Sequence, residues 1–141
     1  MIVLEDEKEV IKNFIIDSIE TFKVQNGEFT SIGIYGCPWA GWISLNFNTK
    51  RSLSDTEFSC PDFDIVEFDL LELEVWQTEY ESNSPEYIFE NKLLALDSGS
   101  GDEALNNLFF KFLSTIVLKI KNDYKEDILL QMLDSQCRAI F

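Results

Sequence analysis

The apolar residues of this chain change their spacing at residue 27, and that change limits the folds open to it more than any other feature. Before it, Ile11, Phe14, Ile15, Ile19 and Phe22 follow the i, i+3, i+4, i+7 spacing of an amphipathic helix, with Ser18 as a small member of the same stripe. Asp6 stands where a cap is needed, and Glu9 three residues on completes a capping box. Glu5, Glu7 and Glu9 suit the positive end of the helix dipole, and Gly27 after Asn26 supplies the left-handed residue that closes a helix. The spacing predicts a helix over 7–24.

Beyond Gly27 the period drops to two. Ile32 and Ile34 alternate with Ser31 and Gly33, and Ile43, Leu45 and Phe47 alternate with Ser44, Asn46 and Asn48, as in half-buried strands. Gly36-Cys37-Pro38-Trp39-Ala40-Gly41 between them is turn-forming, so the pair reads as a hairpin. Val66, Phe68 and Leu70 alternate with Glu67 and Asp69. After a slip of one residue, Leu71, Leu73 and Val75 alternate with Glu72 and Glu74, which requires a bulge or bend near Leu70-Leu71 if both halves are strand. A helix over 65–76 competes, against the β-branched and aromatic content.

The remainder reads as helical. Ser84-Pro85 resembles an N-cap with Pro at the first helical position, leading into Ile88, Phe89, Leu93, Leu94 and Leu96. Asp97-Ser98-Gly99-Ser100-Gly101 is a linker that lacks the alternating oxygen ligands of a calcium loop. Ser100 and Glu103 form a capping box for the strongest amphipathic pattern in the chain, Leu105 to Ile120. A last helix starts near Asp123, with Glu126 three residues on, and carries Ile128, Leu129, Met132 and Leu133; Cys137 to Phe141 add a terminal strand or simply dock. The expectation is one α+β layered domain over 1–141: an N-terminal helix, an antiparallel sheet of three to four strands, then about three C-terminal helices. With 141 residues, 45% of them apolar and 12 of them Phe, the chain can fill one core and falls short of two.

Function is constrained by what is missing. The chain has no His, which removes Ser-His-Asp and Cys-His nucleophile activation, His-ligated zinc and His general-base catalysis. A formal net charge of −15 repels nucleic acid phosphates and anionic membranes, so direct nucleic acid or membrane binding is not expected and the natural partner is cationic. No stretch approaches the length of a membrane span, and the acidic N-terminus lacks the pattern of a secretory signal, which points to the cytosol. Cys37, Cys60 and Cys137 are an odd set without C-x-x-C spacing and read as buried free thiols. Cys37-Pro38 and Cys60-Pro61 share a dipeptide that would allow a bridge between their loops, which a cytosolic compartment argues against.

The charge is also localised. Residues 1–51 hold 5 basic and 7 acidic side chains and residues 92–141 hold 6 and 7, whereas residues 52–91 hold 12 acids and no Lys or Arg. Dispersed acids would serve solubility alone. Here they alternate with apolar residues, which puts carboxylates on the solvent face of a strand at a repulsive cost that a cationic partner would offset; a solvated face that serves solubility is the alternative. Trp39 and Trp42 flank the hairpin turn, and Trp76 with Tyr80 follows the acidic strand; aromatic rings beside carboxylates grip Arg and Lys. Trp42 opens a strand and reads as core. The candidate partner-binding residues are therefore Asp55, Glu57, Asp62, Asp64, Glu67, Asp69, Glu72, Glu74, Glu79 and Glu81, with Trp39, Trp76 and Tyr80 as aromatic anchors. No catalytic residue, metal site or cofactor is expected. Carboxylate pairs would suit acid–base work or a magnesium or calcium ion at Asp62 and Asp64, but nothing selects a pair among twelve acids.

The hairpin Ser31-Ile32-Gly33-Ile34-Tyr35-Gly36-Cys37-Pro38-Trp39-Ala40-Gly41-Trp42-Ile43-Ser44-Leu45-Asn46-Phe47-Asn48-Thr49, followed by an acidic strand and helices in a small His-free chain, resembles immunity proteins of bacterial polymorphic-toxin and contact-dependent growth inhibition systems. The likeness is one of overall pattern and covers most of the chain. It implies tight binding to a cognate toxin domain, often a basic nuclease whose phosphate-binding cleft the acidic surface occludes. The competing classes are a carboxylate- or metal-dependent small enzyme or enzyme subunit, and a DNA mimic that inhibits a nucleic-acid-binding protein.

Overall fold

Gly27, at φ 83°, ends the first helix as its position suggests, with its N–H on the Lys23 carbonyl at 3.0 Å. The computed structural model describes residues 1–97 and 102–141. Helix α1 spans Lys8–Asn26 and buries Ile11, Ile15, Ser18, Ile19 and Phe22. Its start differs from the expected capping box. The chain already turns in a 3-10 helix at Leu4–Glu7, because Leu4 is drawn completely into the core, and Glu7 stands at the N-cap without a side-chain cap bond.

The remaining elements are β1 (Ile2–Val3), β2 (Ser31–Cys37), β3 (Trp42–Asn48), β4 (Ile65–Glu72), α2 (Glu74–Tyr80), β5 (Glu86–Phe89), β6 (Lys92–Ala95), α3 (Asp102–Lys121), β7 (Asp127–Met132) and β8 (Arg138–Ile140). One sheet has the order β4-β3-β2-β7-β8, with β2 and β7 parallel and the other pairs antiparallel. The second has the order β1-β5-β6, with β1 and β5 parallel.

This corrects the expected architecture. Two mixed sheets with eight strands, among the described residues, replace one antiparallel sheet of three to four, and a single long helix follows β4 where about three were expected. Two local ambiguities account for the difference. Pro85 precedes a strand instead of opening a helix, and Glu90 and Asn91, at φ 52° and 61°, make the two-residue turn that closes the β5–β6 hairpin. The run Ile128-Leu129-Leu130 is buried on both sides of the sheet, so it shows no alternation and mimics a helix segment. The predicted helix from Asp123 is therefore β7, and the terminal strand option holds as β8. The linker beyond Asp97 and the Ser100 end of the capping box fall on residues 98–101, outside the described residues.

Helix α1 lies against β4 and α3 against β7, and the two helices touch each other over the inner face of the larger sheet. Ile32, Ile34, Ile43, Leu45 and Phe47 fill that face. Phe22 of α1 stacks on Phe47 with ring centroids at 3.9 Å and meets Phe68 edge-on at 5.0 Å. The smaller sheet joins the same core through Phe89 on Phe112 and Tyr87 beside Trp76. On the outer face, residues 49–64 fold back over β2 and β7. Leu53, Cys60 and Phe63 pack there with Leu129 and the half-buried Tyr35, and Phe63 and Cys60 sit so close over Gly33 that a Cβ would stand 2.7 Å from the Phe63 ring. All three cysteines are buried and free.

Candidate functional site

The loop 49–64 covers only part of the outer face. The uncovered part is shaped by an irregularity in β4. Leu45 pairs with Asp69 and Phe47 with Ile65, so β4 advances four residues while β3 advances two. Glu67 lies in this excess at φ 52°, and its N–H is held by Asn46 Oδ1 at 2.8 Å. The slip expected near Leu70-Leu71 is thus placed earlier, and from Leu73 onward the chain leaves the sheet for α2.

The irregularity redistributes the side chains. Cross-strand partners point to the same side, so Asp69 and Leu71 share the inner face with Leu45 and Ile43, while Leu70 and Glu72 share the outer face with Ser44 and Trp42. Asp69 accepts a bond from the buried Ser18 hydroxyl at 2.7 Å and ties α1 to β4. Val66 and Leu70 project outward, 50% and 38% exposed. The expected pattern, carboxylates outside and every apolar residue inside, is corrected: the outer face is mixed.

There Tyr35 and Trp42 face each other with ring centroids at 5.6 Å and an interplanar angle of 55°. Together with Val66, Leu70 and Pro61 they wall an open groove of about 410 Å³, floored by Ser44 and Asn46 and bordered by Glu67. Glu72 lies directly across from Trp42. Burial, then the neighbouring Cys60, Asp134 and Cys37, raise the Tyr35 phenol above its ordinary value, so it enters the groove as a neutral ring. Sequence reasoning missed Tyr35, Val66, Leu70 and Pro61 and discounted Trp42. A signal existed for two of them: Tyr35 and Trp42 fall on the Gly33 and Ser44 parity, opposite the Ile32 and Ile43 stripe.

The other candidates separate into structural and exposed groups. Asp64 accepts the N–H groups of Thr49, Lys50 and Arg51 and an ion pair from Arg51 at 2.6 Å, and these bonds hold its carboxyl far below the usual carboxylate range. Its neighbour Asp62 engages the Arg51 guanidinium through its main-chain carbonyl. Asp55 takes the Ser52 N–H at 2.9 Å, which lowers its pKa, and Glu57 sits exposed at φ 54° beside it. This group closes the loop. Trp76 is wholly buried between Tyr87 and Phe109, so it holds the core and offers no ring to a partner; Trp39 is half-buried against the same core.

Tyr80 donates to Asp102, a bond that raises its own pKa to about 12, and Glu81 accepts from Gln77 at 3.3 Å. Burial opposes ionisation of Glu79, but bonds from the Met1 amino group and the Glu86 N–H outweigh it and leave the pKa lowered. Glu74 is exposed at the start of α2 and, with Asp6, Glu7 and Glu79, borders a second hollow of about 570 Å³ beside Val75.

Among the described residues no group of three or more His, Cys, Asp or Glu side chains is arranged to hold a metal ion, and Asp64 is committed to the loop. The shifted carboxylates, Asp55, Asp64 and Glu79, are all lowered, opposite to the direction a general acid needs. Burial pushes the Cys37 thiol up to about 11 and raises Cys60 as well, so both stay protonated at neutral pH. Among the described residues no helix is long and apolar enough to cross a membrane. Comparison with protein-family models, with curated proteins and with solved structures finds no match in any of the three.

Proposed function

We propose that this chain is a non-catalytic, cytosolic binding protein that engages a cationic protein partner through the outer face of β3 and β4, and that the partner is a cognate toxin domain of nuclease type whose active site it occludes. One observation carries the reading: a groove walled by half-buried Tyr35 and Trp42 and exposed Val66 and Leu70 is bordered by Glu67, with Glu72 across from Trp42, and neither carboxylate has an ion-pair partner among the described residues. Exposed apolar surface rimmed by polar groups marks interaction sites. Unpaired carboxylates around it favour a partner of opposite charge and accelerate encounter. A nuclease is cationic where it holds nucleic acid, and an inhibitor that covers that cleft needs no catalytic group of its own.

The test uses the protein encoded by the neighbouring gene, with association followed by stopped-flow fluorescence over a range of salt. Complex formation with an on-rate that falls as salt rises is expected. Glu67→Lys and Glu72→Lys together should slow association by about 10-fold or more and flatten the salt dependence. Asp69 is left unchanged because it holds Ser18. An on-rate unaffected by the two reversals overturns the assignment of this face.

A further inference from the structure

We infer that the groove between Tyr35, Trp42, Val66 and Leu70 is the seat of one arginine side chain of the partner protein. This rests on the binding-protein reading above and adds the chemistry of recognition. The floor of the groove has little left for a polar ligand: the Asn46 amide donates to the Gly33 carbonyl at 3.1 Å, and its oxygen accepts the Glu67 N–H. What remains for an occupant is two half-buried rings in the groove wall, two exposed aliphatic side chains and negative charge at the edge.

Those three features match the parts of an arginine. Its aliphatic stem covers apolar surface, its planar guanidinium stacks on aromatic rings, and its fork of N–H donors meets carboxylates in two directions. A lysine ammonium is a compact, strongly hydrated charge that uses the rings less well. Glu67 is also held in place before any partner arrives. Its left-handed backbone is fixed by Asn46, which is itself 1% exposed, so the main chain that carries the carboxylate to the groove edge needs no ordering on binding. Glu72, across from Trp42, supplies a second carboxylate on the same face.

The probes are acetyl-Gly-Arg-Gly-amide and its lysine and citrulline counterparts, titrated into the whole chain and followed by NMR at the Trp42 indole N–H and the Val66 and Leu70 methyl groups. Saturable shifts at these sites are expected, tighter for arginine than for lysine and absent for the neutral citrulline. Glu67→Gln should abolish them all and Trp42→Ala those at the Val66 and Leu70 methyls, and Val66→Ser with Leu70→Ser, at exposed positions and read at the Trp42 indole, tests the same groove if Trp42→Ala disturbs the fold. Equal responses to arginine and lysine, or shifts at Glu74 and Glu81 with none at Trp42, overturn the seat. In the toxin complex, Trp42→Ala should weaken binding about 30-fold or more, as for a buried anchor pair. A toxin that binds Trp42→Ala as it binds the wild type leaves the binding-protein reading standing and removes the arginine seat. No toxin binding at all, with the peptide response intact, removes the toxin as the partner and keeps the arginine seat for another cationic protein.

Discussion

Asp64 was a candidate contact on charge alone, and the backbone has taken it. Three N–H groups and the Arg51 guanidinium converge on one carboxylate, which closes the loop that roofs Gly33. Asp64→Asn should destabilise the fold by about 1–2 kcal/mol, the scale of charge-assisted hydrogen bonds at a partly exposed site. Because the folded carboxyl is held below its unfolded value, this stability is present above about pH 4 and is lost as the pH falls through the lower folded value. The difference in melting temperature between wild type and Asp64→Asn should therefore be largest at neutral pH and shrink below pH 4. Gly41 offers a second residue-scale test. It has φ 72°, and a Cβ there would stand 2.3 Å from the Leu73 carbonyl oxygen. Gly41→Ala should cost about 2 kcal/mol or more in chemical denaturation, combining backbone strain with a clash that no side chain can relieve.

Among the elements, the β5–β6 hairpin depends on two non-glycine residues with positive φ, Glu90 and Asn91. Glu90→Asn with Asn91→Gly should raise stability by about 0.5–1 kcal/mol, since those types adopt the turn without strain; calorimetry reads the gain directly. The turn also shows why part of the fold could be read and part could not. Helices α1 and α3 carry unbroken 3.6-residue stripes, and the β2–β3 hairpin carries clean alternation, so their periods identify them. Strands β5 and β6 are four residues each, too short to show a period, and β7 has both faces covered. Site and fold failed together in β4. The alternation there was real, but the irregular pairing opposite Leu45 and Phe47 turned Asp69 inward and Leu70 outward, and no residue type announced it.

At the level of the whole molecule, charge opposes compaction. Most of the −15 resides in a stretch without a cation, while Lys8, Lys12 and Lys119 crowd one another, the Lys8 contact being the main cause that lowers the Lys119 pKa. Both sets are self-repelling, and salt screens both. Raising ionic strength from 0.02 to about 0.5 M should therefore stabilise the protein by about 1 kcal/mol, or about 3–5 °C in melting temperature. A fall on adding salt would mean that the few ion pairs outweigh the repulsion.

The parallel pairs have a consequence in time. Ser31 waits for Asp127 and Ile2 for Tyr87, so each sheet is completed by a strand made long after its partner. A ribosome delivers α1, β2 and β3 early, and the edge of β2 away from β3 stays unpaired until β7 has been made. Contacts so distant along the chain make folding slow and leave a strand edge open to other nascent chains meanwhile. Synthesis therefore exposes an open strand edge to neighbouring chains, and a chain shortened at Lys121, which lacks β7, would keep that edge open.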